Sequence, residues 1–139
     1  MKDIFCRIID GEIPSQRVYE DDDVIAILDI SQTTTGHTLV IPKKHYESFL
    51  TCPAETVNKV MMIAQRIGQA EISILGAKGV NILTNCGEAA GQSVPHFHVH
   101  VIPRYVGGEG GFRIEMQSQD TSKLNLPMIA KEIADALKD

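Results

Sequence analysis

The 139-residue chain has no tryptophan, only three cysteines and no surplus of positive charge: 13 Lys+Arg stand against 18 Asp+Glu, a formal net charge of −5. Each shortage excludes a class of function. A general binder of nucleic-acid polymers needs a basic surface to displace counterions from phosphates, and this composition argues against one. No apolar run approaches the roughly 20 residues of a membrane span, and no charged-then-apolar leader opens the sequence, so a soluble, unexported protein is expected. Cys6, Cys52 and Cys86 are odd in number and widely spaced. That pattern predicts reduced thiols in a cytoplasmic setting rather than a disulfide framework. No G-x-x-x-x-G-K-[ST] or G-x-G-x-x-G loop is present, and no set of acidic residues is spaced to hold Mg²⁺. What remains is ordinary globular material, 43% hydrophobic and 22% charged. Its length fits one domain spanning 1–139. A small anionic ligand stays open, since a few backbone N–H groups and one or two imidazoles suffice to hold a mononucleotide.

The residue patterns predict a short helix over Ile4–Ile9, then a hairpin of Arg17–Glu20 and Val24–Leu28 around the acidic turn Asp21-Asp22-Asp23. Thr38–Ile41 reads as a third strand stopped by Pro42. From Pro53 to about Leu75, apolar residues recur at helical spacing, with Cys52 at the N-cap, Pro53 at N1, Glu55 in the first turn and Gly76 as the stop. Val80–Asn85 and Val94–Ile102 read as the last strands, the second ended by Pro103. Gly107–Gly111 reads as a flexible loop, and Leu126, Ile129, Ile133 and Leu137 mark a final amphipathic helix. Segregated strands and helices predict an α+β fold with a mostly antiparallel sheet.

Three of the five histidines fall in His96-Phe97-His98-Val99-His100. Residues at i, i+2 and i+4 of a strand share a face, so three imidazoles line one side while Phe97, Val99 and Val101 enter the core. Satisfied structural histidines are a poor account of such a cluster, because each member can charge near pH 6.5 and none gains packing from the others. Two chemistries compete. One is metal ligation, with Glu88 or His37 as a further ligand, as in a metal-dependent oxygenase or isomerase. The other is nucleophilic catalysis, in which a neutral imidazole attacks phosphorus and water later releases it. Gly91-Gln92-Ser93-Val94 immediately before the triad supplies an amide, a hydroxyl and backbone N–H groups suited to phosphate oxygens, and favours the second.

Leu28-Asp29-Ile30-Ser31, Gly36-His37-Thr38-Leu39-Val40-Ile41-Pro42-Lys43-Lys44-His45 and Gly91 to Ile102, with the opening Ile4 to Ile9, together resemble the histidine triad (HIT) family. Within it they are most similar to the branch of nucleoside phosphoramidases. The resemblance runs from about residue 3 to 105. It implies a five-stranded antiparallel sheet with one long central helix and a C-terminal helix, joined into a ten-stranded sheet in a homodimer. It implies an enzyme that hydrolyses a nucleoside monophosphate from an amine, acyl or phosphate leaving group, with no cofactor required for catalysis. The implied partner is a purine nucleoside monophosphate or its conjugates. His98 would be the nucleophile, His100 the contact to phosphate and leaving-group oxygens, and His96 and His37 the supporting imidazoles. Asp29 would accept from ribose hydroxyls. Asn85, Gly91, Gln92, Ser93 and Val94 would hold the phosphate, and Ile4, Phe5, Ile8, Ile13, Ile27, Leu28 and Ile30 would belong to the apolar pocket for the base. Many bacterial relatives open with C-x-x-C, whose thiols join two histidines on a structural zinc; here Asp3 takes the first position, leaving Asp3, Cys6, His45 and His96. Two alternatives remain: a dinucleoside polyphosphate hydrolase, which Val101-Ile102-Pro103-Arg104 resembles, and a nucleotide-binding protein without turnover.

Overall fold

The computed structural model describes residues 2–107 and 113–138. Helix α1 (Ile4–Ile9) is followed by strands β1 (Arg17–Glu20), β2 (Val24–Leu28) and β3 (Thr38–Pro42). Next come the long helix α2 (Ala54–Leu75), strands β4 (Gly79–Leu83) and β5 (Val99–Arg104), and helix α3 (Leu126–Ala136). The strands form one antiparallel sheet in the order β1-β2-β3-β5-β4. The α+β reading and the five strands are found as expected.

Alternation along the strands divides the core in two. Val24, Ala26, Val40, Val99 and Val101 face α2, which presents Val60, Ile63, Ala64 and Ile67 at helical spacing. Ile25, Ile27, Leu39 and Ile41 face the other way and are covered by Phe5 and Ile8 of α1. Each buried aliphatic side chain contributes about 1.5–3 kcal/mol. Gly76 ends α2 at φ 76°, a left-handed cap that a side chain would disfavour.

Boundaries of four elements differ from expectation; β3 takes in Pro42, and β4 runs Gly79–Leu83 rather than Val80–Asn85. Pro53, not Cys52, is the N-cap of α2; its extended backbone starts the helix one residue later, and Cys52 instead closes a short 3₁₀ turn at Phe49–Thr51. The expected strand over Val94–Ile102 pairs only from Val99. Upstream, Pro95 has no N–H to offer, His96 N–H donates to the Val94 carbonyl and Phe97 N–H to that of Tyr46, so the chain bends at 94–96 and stays outside the ladder. At the other end β5 continues through Pro103 to Arg104, beyond its last pair with β3 at Val101, where the open edge tolerates a proline. Of the expected glycine loop, Gly107 is described with φ 97°, and Gly108–Gly111 lie outside the described residues.

Candidate active site

The face of the sheet that carries α1 also carries the imidazoles. His100 sits in β5 opposite Leu39 and Leu83, and His98 and His96 extend the same side upstream. Phe5 lies edge-on to both His98 and His96, with ring centroids 4.9 and 5.9 Å away. His98 and His100 meet edge-on in turn, with ring centroids 5.0 Å apart. Their proton positions follow from the partners that the backbone imposes.

His98 Nδ1 lies 2.7 Å from the His96 carbonyl. A carbonyl only accepts, so Nδ1 carries the proton and Nε2 keeps its lone pair. Burial pushes the His98 pKa below 6.5, which preserves that lone pair at neutral pH. The Thr33 N–H donates to His37 Nδ1 at 3.3 Å, so the His37 proton sits on Nε2. From there it points to His100 Nδ1 at 3.0 Å, and lies 3.7 Å from the Asp29 carboxylate. His100 therefore accepts at Nδ1 and carries its own proton on Nε2. Burial, with the neighbouring His98 and His37, pushes the His100 pKa down to about 4. Burial likewise lowers that of His37, against the pull of Asp29. The result is a row of neutral imidazoles with one free nitrogen lone pair and one free N–H.

The loop between β2 and β3 owes its shape to Gln32, at φ 37°. Its amide donates to the carbonyls of Asp29 (2.6 Å) and His37 (2.8 Å) and accepts from Gly36 N–H (2.8 Å). Gln32 and the Thr33 amide escaped sequence reading, because nothing in the local pattern ties a loop glutamine or a backbone N–H to a distant imidazole. Gly36 of the same loop, at φ 100°, is tightly enclosed: a Cβ there would lie 2.7 Å from Leu75 Cδ1.

The expected phosphate loop is present but divides its work. The Gln92 amide accepts from Gly87 N–H (2.8 Å) and donates to the carbonyls of Glu47 (2.7 Å) and Val94 (2.9 Å). It shapes the loop with the groups expected to meet phosphate. Asn85 reaches the Gly91 carbonyl at 3.5 Å, and Ser93 is exposed. Among the apolar residues, Phe5 is buried beside the triad and Ile8 is buried in the same cluster, while Ile4 and Ile30 are exposed, Ile30 completely. Leu28 is not brought to the imidazoles. Strand alternation gives that face to Ile27 and turns Leu28 to the α2 side, where it lines an apolar groove with Ile67, Ile74 and Leu75.

Asp3, Cys6 and His96 do converge, their ligand atoms all lying within 4.8 Å of one another. Asp3 Oδ1 caps α1 by accepting from Cys6 N–H at 2.8 Å, and Oδ2 lies 3.1 Å from His96 Nδ1. Burial raises the Asp3 pKa, but the Cys6 N–H and His96 outweigh it and hold the carboxyl below its usual range. His96 is fully buried and its Nε2 donates to the Pro42 carbonyl at 2.9 Å, so Nδ1 presents a lone pair to a carboxylate. Two acceptors this close require a proton or a cation between them. A thiol, a carboxylate and an imidazole fit Zn²⁺ chemically. His45 stands at the margin: its Nε2 is 3.3 Å from Asp3 Oδ2, yet bonds the Pro95 carbonyl at 2.8 Å, and the side chain is half exposed. A second group, Asp29, His37 and His100, also lies within 4.8 Å, and the proton chain from Thr33 to His100 already accounts for its orientation.

Comparison with known proteins gives one consistent result. The HIT domain family model matches residues 10–107. The protein named hit of Bacillus subtilis is 45% identical over 135 residues, covering 96% of this chain and 93% of that one. The crystal structure of a HIT family member from the same species superposes with a TM-score of 0.91 at 43% identity, covering 100% of this chain and 99% of that one. A zinc-bound histidine triad family protein from Mycobacterium smegmatis superposes at 0.74 with 40% identity, covering 95% and 96%. An adenylylsulfatase of Arabidopsis thaliana is 41% identical over 73% of this chain and 51% of its own length.

Proposed function

This chain belongs to the HIT-domain family, and on that premise we propose that it hydrolyses nucleoside monophosphate conjugates through a nucleotidyl group carried on His98. The observation that supports this most is the tautomer of His98: with its Nδ1 proton held by the His96 carbonyl, Nε2 is a pre-aimed nucleophile that needs no base.

In the first step the Nε2 lone pair forms a bond to the α-phosphorus while the bond to the amine, acyl or phosphate leaving group breaks in line, its electron pair departing with that group, which leaves protonated with a proton drawn from solvent. The Nε2–H of His100 donates to phosphate and leaving-group oxygens, and the Thr33–His37 chain keeps that proton in place. Ser93, Asn85 and the backbone of Gly91 and Val94 meet the charge on the equatorial oxygens, in a loop that Gln92 clasps. In the second step water attacks phosphorus and returns a proton to solvent, the Nε2–P bond breaks with its electron pair restored to Nε2, and the nucleoside monophosphate leaves. Asp29 accepts from the ribose, and Phe5, Ile8 and Ile30 border the purine. A zinc held by Asp3, Cys6 and His96, with His45 beside them, would tie the N-terminus to the triad and supply no catalytic step.

The working unit in this reading is a cytoplasmic homodimer. Among the described residues β4 pairs only with β5, so its outer edge is open to a second copy. The test is hydrolysis of an adenosine phosphoramidate by wild type and His98→Ala, read as released AMP. The variant is expected to lose several orders of magnitude in kcat, the scale of removing a covalent nucleophile. Near-wild-type turnover would overturn the assignment. A kcat/KM higher for a diadenosine polyphosphate than for the phosphoramidate would move the substrate class within the same mechanism.

A further inference from the structure

Among the described residues Glu71 of α2 carries the one buried carboxyl, and the mechanism above does not use it. Its side chain is 6% exposed. Val18 of β1, Leu28 of β2 and Ile67, Ile74 and Leu75 of α2 surround it with hydrocarbon. None of these elements turns a charged or titratable group to it, and its one polar neighbour is Thr38 of β3. Gly36 packs against it closely enough that a Cβ there would stand 3.0 Å from Glu71 Oε2.

The proton positions follow from what each atom can do. Thr38 Oγ1 lies 2.7 Å from the Gly36 carbonyl and 3.5 Å from Glu71 Oε2. A hydroxyl has one proton, and a carbonyl can only accept, so Thr38 donates to Gly36 and turns lone pairs towards Glu71. Glu71 Oε1 has no partner at all. A carboxylate here would face lone pairs on one side and hydrocarbon on the other. Glu71 is therefore a neutral carboxylic acid whose Oε2 proton is directed at Thr38. Burial raises its pKa to about 7. Against a hydroxyl that accepts, rather than one that donates, the proton stays on to still higher pH.

This short chain ends on the peptide that carries His37. The Gly36 carbonyl is held by the Thr38 hydroxyl, and the His37 N–H of the same peptide by the Thr34 carbonyl at 3.1 Å. The His37 ring in turn meets His100 Nδ1 at 3.0 Å. We propose that Glu71 is a positioning residue that works as a carboxylic acid: its proton keeps the Thr38 hydroxyl turned to the Gly36 carbonyl, and so holds His37 against His100. This rests on the catalytic reading and deepens it. When Glu71 gives its proton to solvent, the Thr38 hydroxyl rotates to donate to the carboxylate, a stronger acceptor than a carbonyl. The Gly36 carbonyl then loses its donor, and the peptide before His37 turns.

The test compares wild type with Glu71→Gln, whose amide still donates to Thr38 but does not ionise, and with Glu71→Leu, which fills the space and donates nothing. Thr38→Val breaks the chain from the other end. At pH 7, Glu71→Gln is expected to keep kcat on an adenosine phosphoramidate within about twofold of wild type. Glu71→Leu and Thr38→Val are each expected to lose about fivefold or more in kcat with KM little changed. Between pH 8 and 9.5, kcat/KM of the wild type is expected to fall at least threefold further than that of Glu71→Gln. By NMR, the Glu71 carboxyl carbon is expected to titrate above pH 7, with the His37 ring nitrogens shifting at the same midpoint. Equal kcat in Glu71→Gln and Glu71→Leu, wild-type kcat in Thr38→Val, or superimposable alkaline profiles overturns the proposal. So does a Glu71 carboxyl that titrates with the exposed glutamates, or a His37 ring that does not respond to it. The NMR readout needs no turnover, so a wild type that releases no AMP overturns the catalytic reading separately.

Discussion

At the scale of single residues, the site is a set of backbone decisions about where imidazole protons sit. The His96 carbonyl, the Pro42 carbonyl and the Thr33 N–H each choose a tautomer, and from those choices follow a lone pair at His98 Nε2 and a proton at His100 Nε2. Burial keeps both rings neutral. Because protonation removes the nucleophilic lone pair, activity is lost as pH falls through the His98 pKa, which lies below 6.5. We therefore expect kcat/KM to stay level from pH 8 to 6.5 and to decline only below that. An acid limb centred above pH 6.5 in a phosphoramidate assay would contradict it. Stability follows with the same sign. His100 is near 6.5 when unfolded and about 4 when folded, so its contribution is complete above pH 6.5 and is lost as pH falls through that window, measurable by urea midpoints.

At the scale of elements, the loop between β2 and β3 and the C-terminal end of α2 support each other. Gly36 has φ 100° and its missing Cβ leaves room for Leu75 and for the Glu71 carboxyl, whose pKa burial raises to about 7. Gly36→Ala should cost about 2–4 kcal/mol, combining left-handed strain with a contact that Leu75 must yield to. It should also lower kcat, because His37 follows directly and positions His100. Denaturant unfolding and AMP release check the two parts; an unperturbed midpoint would mean the loop relaxes without cost. The elements themselves were largely readable. The α1 pattern, the hairpin and the Gly76 stop all appear where apolar spacing and turn chemistry place them. The fifth strand was readable in type but not in extent. Whether Phe97 pairs with a strand or with the Tyr46 carbonyl depends on a chain 50 residues away, which local alternation does not see.

At the scale of the whole molecule, the N-terminus and the catalytic segment meet at Asp3, Cys6 and His96. A zinc ion held there links two distant parts of the chain and acts on stability. Added Zn²⁺ is expected to raise the Tm of the wild type by several degrees and to leave that of Cys6→Ala unmoved. An equal rise in both would place the ion elsewhere. The sequence by itself determined which residues share a face and which chemistry they suit, because strand alternation and side-chain donors are local properties. H-x-H-x-H could not avoid lining up its imidazoles, and an acidic, cysteine-poor composition pointed away from polymers and disulfides. Only the tertiary structure decided which nitrogen is free and that Gln92 spends its amide on the loop. Those outcomes depend on hydrogen-bond partners and packing supplied by segments far apart in the chain.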